Sequence, residues 1–273
     1  AFNKNKVLEL AENQSSLLSA AKFDQNYNSQ YSYIAKVGYP MGMMYGFIYE
    51  GTYKYEDFDK AGDTYTLKRN VPYFSSESNT QPGMPKYADL NGDGIIDDND
   101  RTMIGNGMPK HTGGFTNNFE YKGFDLSIFF QWSYGNDVLN ANRLFFENSN
   151  KTRDLNQYAS YADRWTPENP ESNIPRATDS GSNKVFSTRI IEDGSFLRLK
   201  TVSLGYTLPK QLTKKWKIDN ARVFVAGQNL WTCTGYSGYD PEVSIREGAL
   251  TPGLDFSAYP RAYSISFGIN LGF

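Results

Sequence analysis

Residues 89–100 read DLNGDGIIDDND. Asp89, Asn91 and Asp93 supply oxygens at the first, third and fifth positions of this stretch, and Gly94 takes the sharp turn at the sixth. Ile95 offers a backbone carbonyl, Asp97 a side chain or a bound water, and Asp100 the closing carboxylate. A hard cation takes about six to eight oxygens, and this spacing delivers them from one short loop. Crowded carboxylates repel one another without a cation. Asp89, Asn91, Asp93, Ile95, Asp97 and Asp100 are therefore the candidate ligands of a structural Ca2+. Asp in place of the usual Glu at the last position shortens the reach and predicts weaker binding. The competing reading is a solvated Asp/Asn/Gly turn. No helical pattern flanks the loop, which predicts a structural clip rather than a calcium sensor.

Other chemistry is thin. His111 is the only histidine and Cys233 the only cysteine, so neither a histidine cluster nor an intrachain disulfide can form. Cys233 reads as a small, semi-buried residue. No G-x-S-x-G elbow occurs. Gly105-Asn106-Gly107 lacks the Lys-Ser/Thr of a phosphate loop. Asp97 and Asp98 have no opposing acid for glycoside hydrolysis, and the calcium reading absorbs them. The expectation is a protein that is not an enzyme. A net charge of −2 gives no electrostatic case for nucleic acid. Tyr158, Tyr161, Trp165, Trp231, Tyr236 and Tyr239 are read as outer-loop aromatics able to stack on sugars, though packing is the commoner role.

The elements that must carry this loop are strands. The closing stretch, AYSISFGINLGF (262–273), alternates Tyr263, Ile265, Phe267, Ile269, Leu271 and Phe273 with small or polar residues. A strand has a side-chain period of two, so one face is apolar and the other small and polar. The same alternation runs through 115–122 and 124–134, joined at Lys122-Gly123, and through 196–208; 222–231 is less clean. Aromatics make up 15% of the 273 residues, and no apolar run is long enough for a membrane helix. Mean hydropathy is −0.60. The apolar stretch 36–55 is read as strand and girdle, and KTRDLNQYASYADRW (151–165) as a short helix.

Counting strands back from the end, the links 122–123 and 209–219 (the latter short and basic) fall on one side. The long segments 56–112, 135–195 and 232–261 fall on the other, with the acidic loop among them. Outer-membrane barrels have short periplasmic turns and long extracellular loops. The predicted fold is all-β: the C-terminal strands of a large antiparallel transmembrane β-barrel with long extracellular loops. The alternative is a soluble, calcium-stabilised β-sandwich that binds carbohydrate. The opening AFNKNKVLEL has no signal-peptide pattern, so the export signal is expected upstream and residues 1–273 are read as the C-terminal portion of something longer.

YADLNGDGIIDDNDRTMIGNGMPK (87–110), GGFTNNFEYKGFDLSIFFQWSYGNDV (113–138), RWTPENP (164–170), EDGSFLRLKTVSLGYTLP (192–209), AGQNLWTCTGYSGYDPEV (226–243) and YPRAYSISFGINLGF (259–273) together resemble the C-terminal part of SusC/RagA-type TonB-dependent outer-membrane transporters. The resemblance implies a plugged barrel of about 22 strands, of which this chain would supply roughly six to eight. The plug and N-terminal strands are not among these residues. It implies a Bacteroidota-type outer membrane, with its lipid, as the location. It also implies an N-terminal plug and barrel portion of the same transporter, a SusD-like surface lipoprotein, TonB acting through the plug, and an oligosaccharide or peptide as ligand.

Overall fold

The computed structural model describes residues 1–25, 27–148, 155–178, 185–245 and 248–273. Five long strands form one antiparallel sheet in chain order: β1 (His111–Tyr121), β2 (Phe124–Tyr134), β3 (Phe196–Thr207), β4 (Asn220–Thr234) and β5 (Ser264–Gly272). The β1–β2 turn has positive φ at both central residues, 46° at Lys122 and 86° at Gly123. That hand matches the twist of the flanking strands, and the glycine makes it accessible.

Register sorts most of the side chains by face, with Phe129, Phe196 and Phe224 the large apolar residues on the polar side. Phe119 faces Leu126, Ile128 faces Val202, Leu204 faces Val225, and Val223 faces Ile269. This face stays bare: Phe267 is 81% exposed, Ile269 67% and Phe119 57%. A sandwich would cover it with a second sheet, so the alternative fold is set aside. The opposite face aligns Asn118 with Ser127, Ser127 with Ser203, and Ala226 with Ser266. One bulge explains a break in the pattern. Phe129 pairs with Thr201 and Phe130 with Leu199, leaving Lys200 as the extra residue. The bulge shifts the phase by one, so that Leu197 and Leu199 stay on the apolar face and Arg198 turns to the polar one.

The sheet is open. Ala1–Asn3 lie against the start of β1: Phe2 bridges His111, and the Asn3 N–H donates to the Lys110 carbonyl at 2.8 Å. Among the described residues no other strand lines the outer edge of β1 or of β5. Among the described residues the barrel strands number five, against the six to eight expected.

The difference lies in 1–110, 135–195 and 235–263, which fold together rather than run as loops. Ser16–Ala20, Tyr31–Lys36, Met43–Gly46 and Thr102–Asn106 form one sheet. Asp137–Asn140 lies between Ile191–Asp193 and Leu254–Asp255 in another. Tyr33, Met44, Leu139, Phe186, Ile190 and Leu254 close a common core, all at 1% exposure or less. The stretch 36–55 belongs here and not to an aromatic girdle: Phe47 packs with Tyr87 and Ile96, and Tyr53 with Phe58 and Leu67. Within the expected helix, residues 151–154 lie outside the described residues, and the remainder forms only a short 3-10 segment, Ala159–Asp163. The whole outer body stands at the long-connection end of the five strands.

Candidate functional site: the acidic loop and the charged wall

The acidic loop is anchored at its middle and its end. Ile95–Ile96 pairs with Tyr73–Phe74, and Ile96 is buried against Phe47 and Tyr87. Thr102–Asn106 then joins Met43–Gly46. Between these anchors the side chains hold the backbone. Asp89 accepts from Gly92 and Gly94 N–H at 2.7 and 2.8 Å. Asn91 accepts from Asp93 at 2.9 Å, and Asp93 from Ile95 at 2.8 Å. Gly92 and Gly94 have φ of 77° and 84°, a conformation that glycine adopts without strain.

Asp100 is fully buried. Its Oδ1 accepts from Leu90 and Asn91 N–H at 2.8 and 3.4 Å, and its Oδ2 from Asp97 N–H at 2.8 Å. Burial raises the carboxyl pKa, but these three donors outweigh it and hold the group below the usual carboxylate range. The donor set suits a hard cation in type and number. Among the described residues no three acidic side chains gather into a metal-holding group, so cation binding would require these carboxylates to converge. Asp97 accepts from Asn99 N–H at 2.7 Å, so every predicted side-chain ligand serves a backbone N–H.

The polar face of the sheet carries charges that the alternation did not single out. Arg222 on β4 and Asp125 on β2 form an ion pair across β3, with Arg222 Nε donating to Asp125 Oδ1 at 2.9 Å. They meet over Gly205, where an added Cβ would lie 2.3 Å from the guanidinium and 2.5 Å from the carboxylate. Arg198, brought to this face by the bulge, is 3% exposed. It donates to Asp240 at 2.5 Å, Glu242 at 3.1 Å and Thr232 at 3.0 Å. Glu242 also accepts from Gln131 at 3.2 Å and pairs with Arg261 at 2.9 Å. These contacts tie the segment after β4 to the wall. Beside them a cleft of about 650 Å³ opens between Phe129 and Gln131 of the wall and Met108, Pro109, Glu242 and Pro252 of the outer body.

Two further clefts, of about 380 and 480 Å³, share Tyr158 and Tyr239. Glu147 lies at the floor of the first, 3% exposed. It pairs with Arg143 and Arg189 at 2.9 Å each, and accepts from Ser160 at 2.6 Å. Burial raises its pKa, but Ser160 and the two arginines outweigh it and keep the group below the usual range. Of the six candidate aromatics, Tyr161, Trp165 and Tyr236 are buried packing residues. Tyr239 is 82% exposed over the clefts. Trp231 belongs to β4, paired with Leu199 on the apolar face, and is not a loop residue. His111 accepts from Trp132 Nε1 at 3.1 Å and stacks on Tyr134, which makes it part of an aromatic cluster at the outer end of the sheet. Cys233 is exposed rather than semi-buried.

Comparison with known proteins extends these observations. No family model matches the chain. It is 33% identical over 278 aligned residues to TonB-dependent receptor P3 of Formosa agariphila, covering 99% of this chain and 26% of that receptor. It is 28% identical over 198 residues to TonB-dependent receptor SusC of Bacteroides thetaiotaomicron, covering 72% of this chain and 18% of SusC. The fold superposes on the RagAB peptide transporter with a TM-score of 0.74 at 24% identity, covering 100% of this chain and 26% of that one. The chain thus spans about a quarter or less of the length of these relatives. With its open five-stranded wall and matching sequence, the chain belongs to the SusC/RagA family of TonB-dependent outer-membrane transporters, as a C-terminal part of their barrel.

Proposed function

We propose that the chain forms part of the wall and outer mouth of a TonB-dependent importer in the outer membrane of a Gram-negative bacterium. The observation that carries this is the sheet's two faces: one bare and apolar, the other polar and charged under a folded outer body. In hydrocarbon every backbone group must be paired, so the edges of β1 and β5 require further strands. Those would come from the N-terminal plug and barrel portion of the same transporter. Import would follow ligand capture at the outer mouth, where a SusD-like lipoprotein closes over the outer body. Plug movement driven by TonB would then release the ligand inward. The cargo class is an oligosaccharide or peptide. The exposed Tyr239, the Tyr158 clefts and the Glu242 wall network offer stacking surface and polar contacts for either.

Detergent extraction of native outer membranes tests the reading. Mass spectrometry of what co-purifies with this chain should find a plug-bearing polypeptide, a SusD-like lipoprotein and the cargo. Recovery as a monodisperse protein in buffer without detergent would refute it.

The loop 89–100 is proposed to take Ca2+ as a structural clip, held by Asp89, Asn91, Asp93, Ile95, Asp97 and Asp100. Its oxygen-only donor set and two open glycines support this. Hydrogen exchange across 89–101 should slow on adding Ca2+ and recover with a chelator. Identical exchange in both conditions would leave the hydrogen-bonded turn as the whole account.

A further inference from the structure

The short-link end of the sheet has a charge that importing cargo does not explain. The links 122–123 and 209–219 carry Lys122, Lys210, Lys214, Lys215 and Lys217 against the single acid Asp219, in a chain whose overall net charge is −2. All five lysines are exposed, and among the described residues none forms an ion pair. Two short helical turns, Lys210–Thr213 and Lys214–Trp216, shape the longer link. Thr213 is buried and fixes it, while Leu212 is 46% and Trp216 63% exposed. The link returns to the sheet where Asp219 N–H donates to the Gly272 carbonyl at 2.8 Å.

We propose that this end binds anionic phospholipid headgroups, seated on these lysines with Trp216 and Leu212 in the interface beneath them. The inference rests on the outer-membrane reading above. Two observations favour lipid over an acidic soluble protein. The basic patch continues into the bare apolar face, since Tyr121 and Phe124 flank the Lys122 turn and Phe124 packs on Tyr206 at 4.5 Å between ring centroids. Lys122 also lies over the Tyr121 ring at 5.0 Å. Lysine beside Trp and Tyr at the edge of an apolar band is the composition of a membrane–water interface, where anionic headgroups attract basic residues.

The test uses the intact transporter in nanodiscs. One set contains brominated phosphatidylglycerol and the other brominated phosphatidylcholine, each in the same zwitterionic background. Trp132 and Trp231 should be quenched similarly in both, and Trp216 more strongly by the phosphatidylglycerol. The excess quenching should vanish in W216F. It should fall at least roughly fivefold in K214Q/K215Q/K217Q, the loss expected from one lysine alone, and persist in K214R/K215R/K217R. Equal quenching by both lipids in the unmodified protein overturns the inference, as does crosslinking of these lysines to an acidic polypeptide instead. Failure of the protein to enter nanodiscs at all would instead overturn the membrane reading. If the glutamine variant does not assemble, the W216F comparison alone decides.

Discussion

In the barrel wall Phe267 is 81% exposed and Ile269 67%, whereas in the outer body Tyr33, Met44 and Phe186 have no exposed surface at all. The two regions use the same residue types with opposite results because they face different solvents. Most of the wall's large apolar side chains point outward, where lipid takes the place of a core. Its inward face is mostly polar, with Ser127, Ser203 and Ser266 beside the charged Arg198 and Arg222. The outer body has water around it and must bury its apolar residues against one another. Exposure therefore signals a fault in one region and the designed state in the other.

Charging the wall should break the comparison most strongly. L126R/I128R is expected to lose roughly 2–4 kcal/mol per substitution near the bilayer midplane, and heat-modifiable migration of the outer-membrane fraction should disappear. In the outer body the damaging change is the reverse, a deletion. F186A empties a fully buried site and should cost about 3–5 kcal/mol. Protease added to intact cells should then cut the outer body while the wall remains heat-modifiable. Loss of both signals together would show that the two regions do not fold separately.

A smaller effect is expected at Asp100. Asp100→Ala strands three N–H groups, at roughly 2 kcal/mol, and should speed hydrogen exchange across 89–101 while sparing the wall. The pH dependence has a definite sign. The folded carboxyl is held below its ordinary value of 3.8, so its contribution is full above that value and is lost as pH falls through the lower, folded one. Protection of the loop amides relative to their intrinsic exchange should fall below about pH 4, and Asp100→Ala should abolish that fall. Least of all, Gly205→Leu should part Arg222 from Asp125 without stopping insertion. The readout is a lower temperature for loss of heat-modifiable migration, with no further drop when Asp125→Asn is added.

The wall was legible because its signal is local. Phe124–Tyr134 and the Lys122-Gly123 turn match the alternation residue for residue, and β5 differs from the expected closing strand only at its ends. The bulge at Lys200 was not legible, since a phase shift looks like noise until the neighbouring strand shows what it preserves. The outer body is illegible in the sequence for a different reason. Its core pairs Tyr33 with Leu139, Phe186 and Leu254, residues more than a hundred positions apart at the extremes, set in polar stretches with no sustained period. The stretch 36–55 was apolar for that core and not for a lipid girdle. The acidic loop was found by spacing, but spacing did not disclose that Asp100 clasps the backbone. Arg198 and Arg222 have no signature in the sequence, because a charge on a polar face carries no pattern of its own.

The shared core of the outer body also makes its closure depend on every part of the wall. Tyr33 and Met44 precede β1, Leu139 and Phe186 lie between β2 and β3, and Leu254 lies between β4 and β5. Each of these three pieces reaches the outer side separately, because a pair of strands separates it from the next. The core cannot close until the last has crossed, and contacts so distant in sequence form slowly. Protection of Tyr33 from solvent thus reports that all three segments have met, whichever pair of strands crosses first.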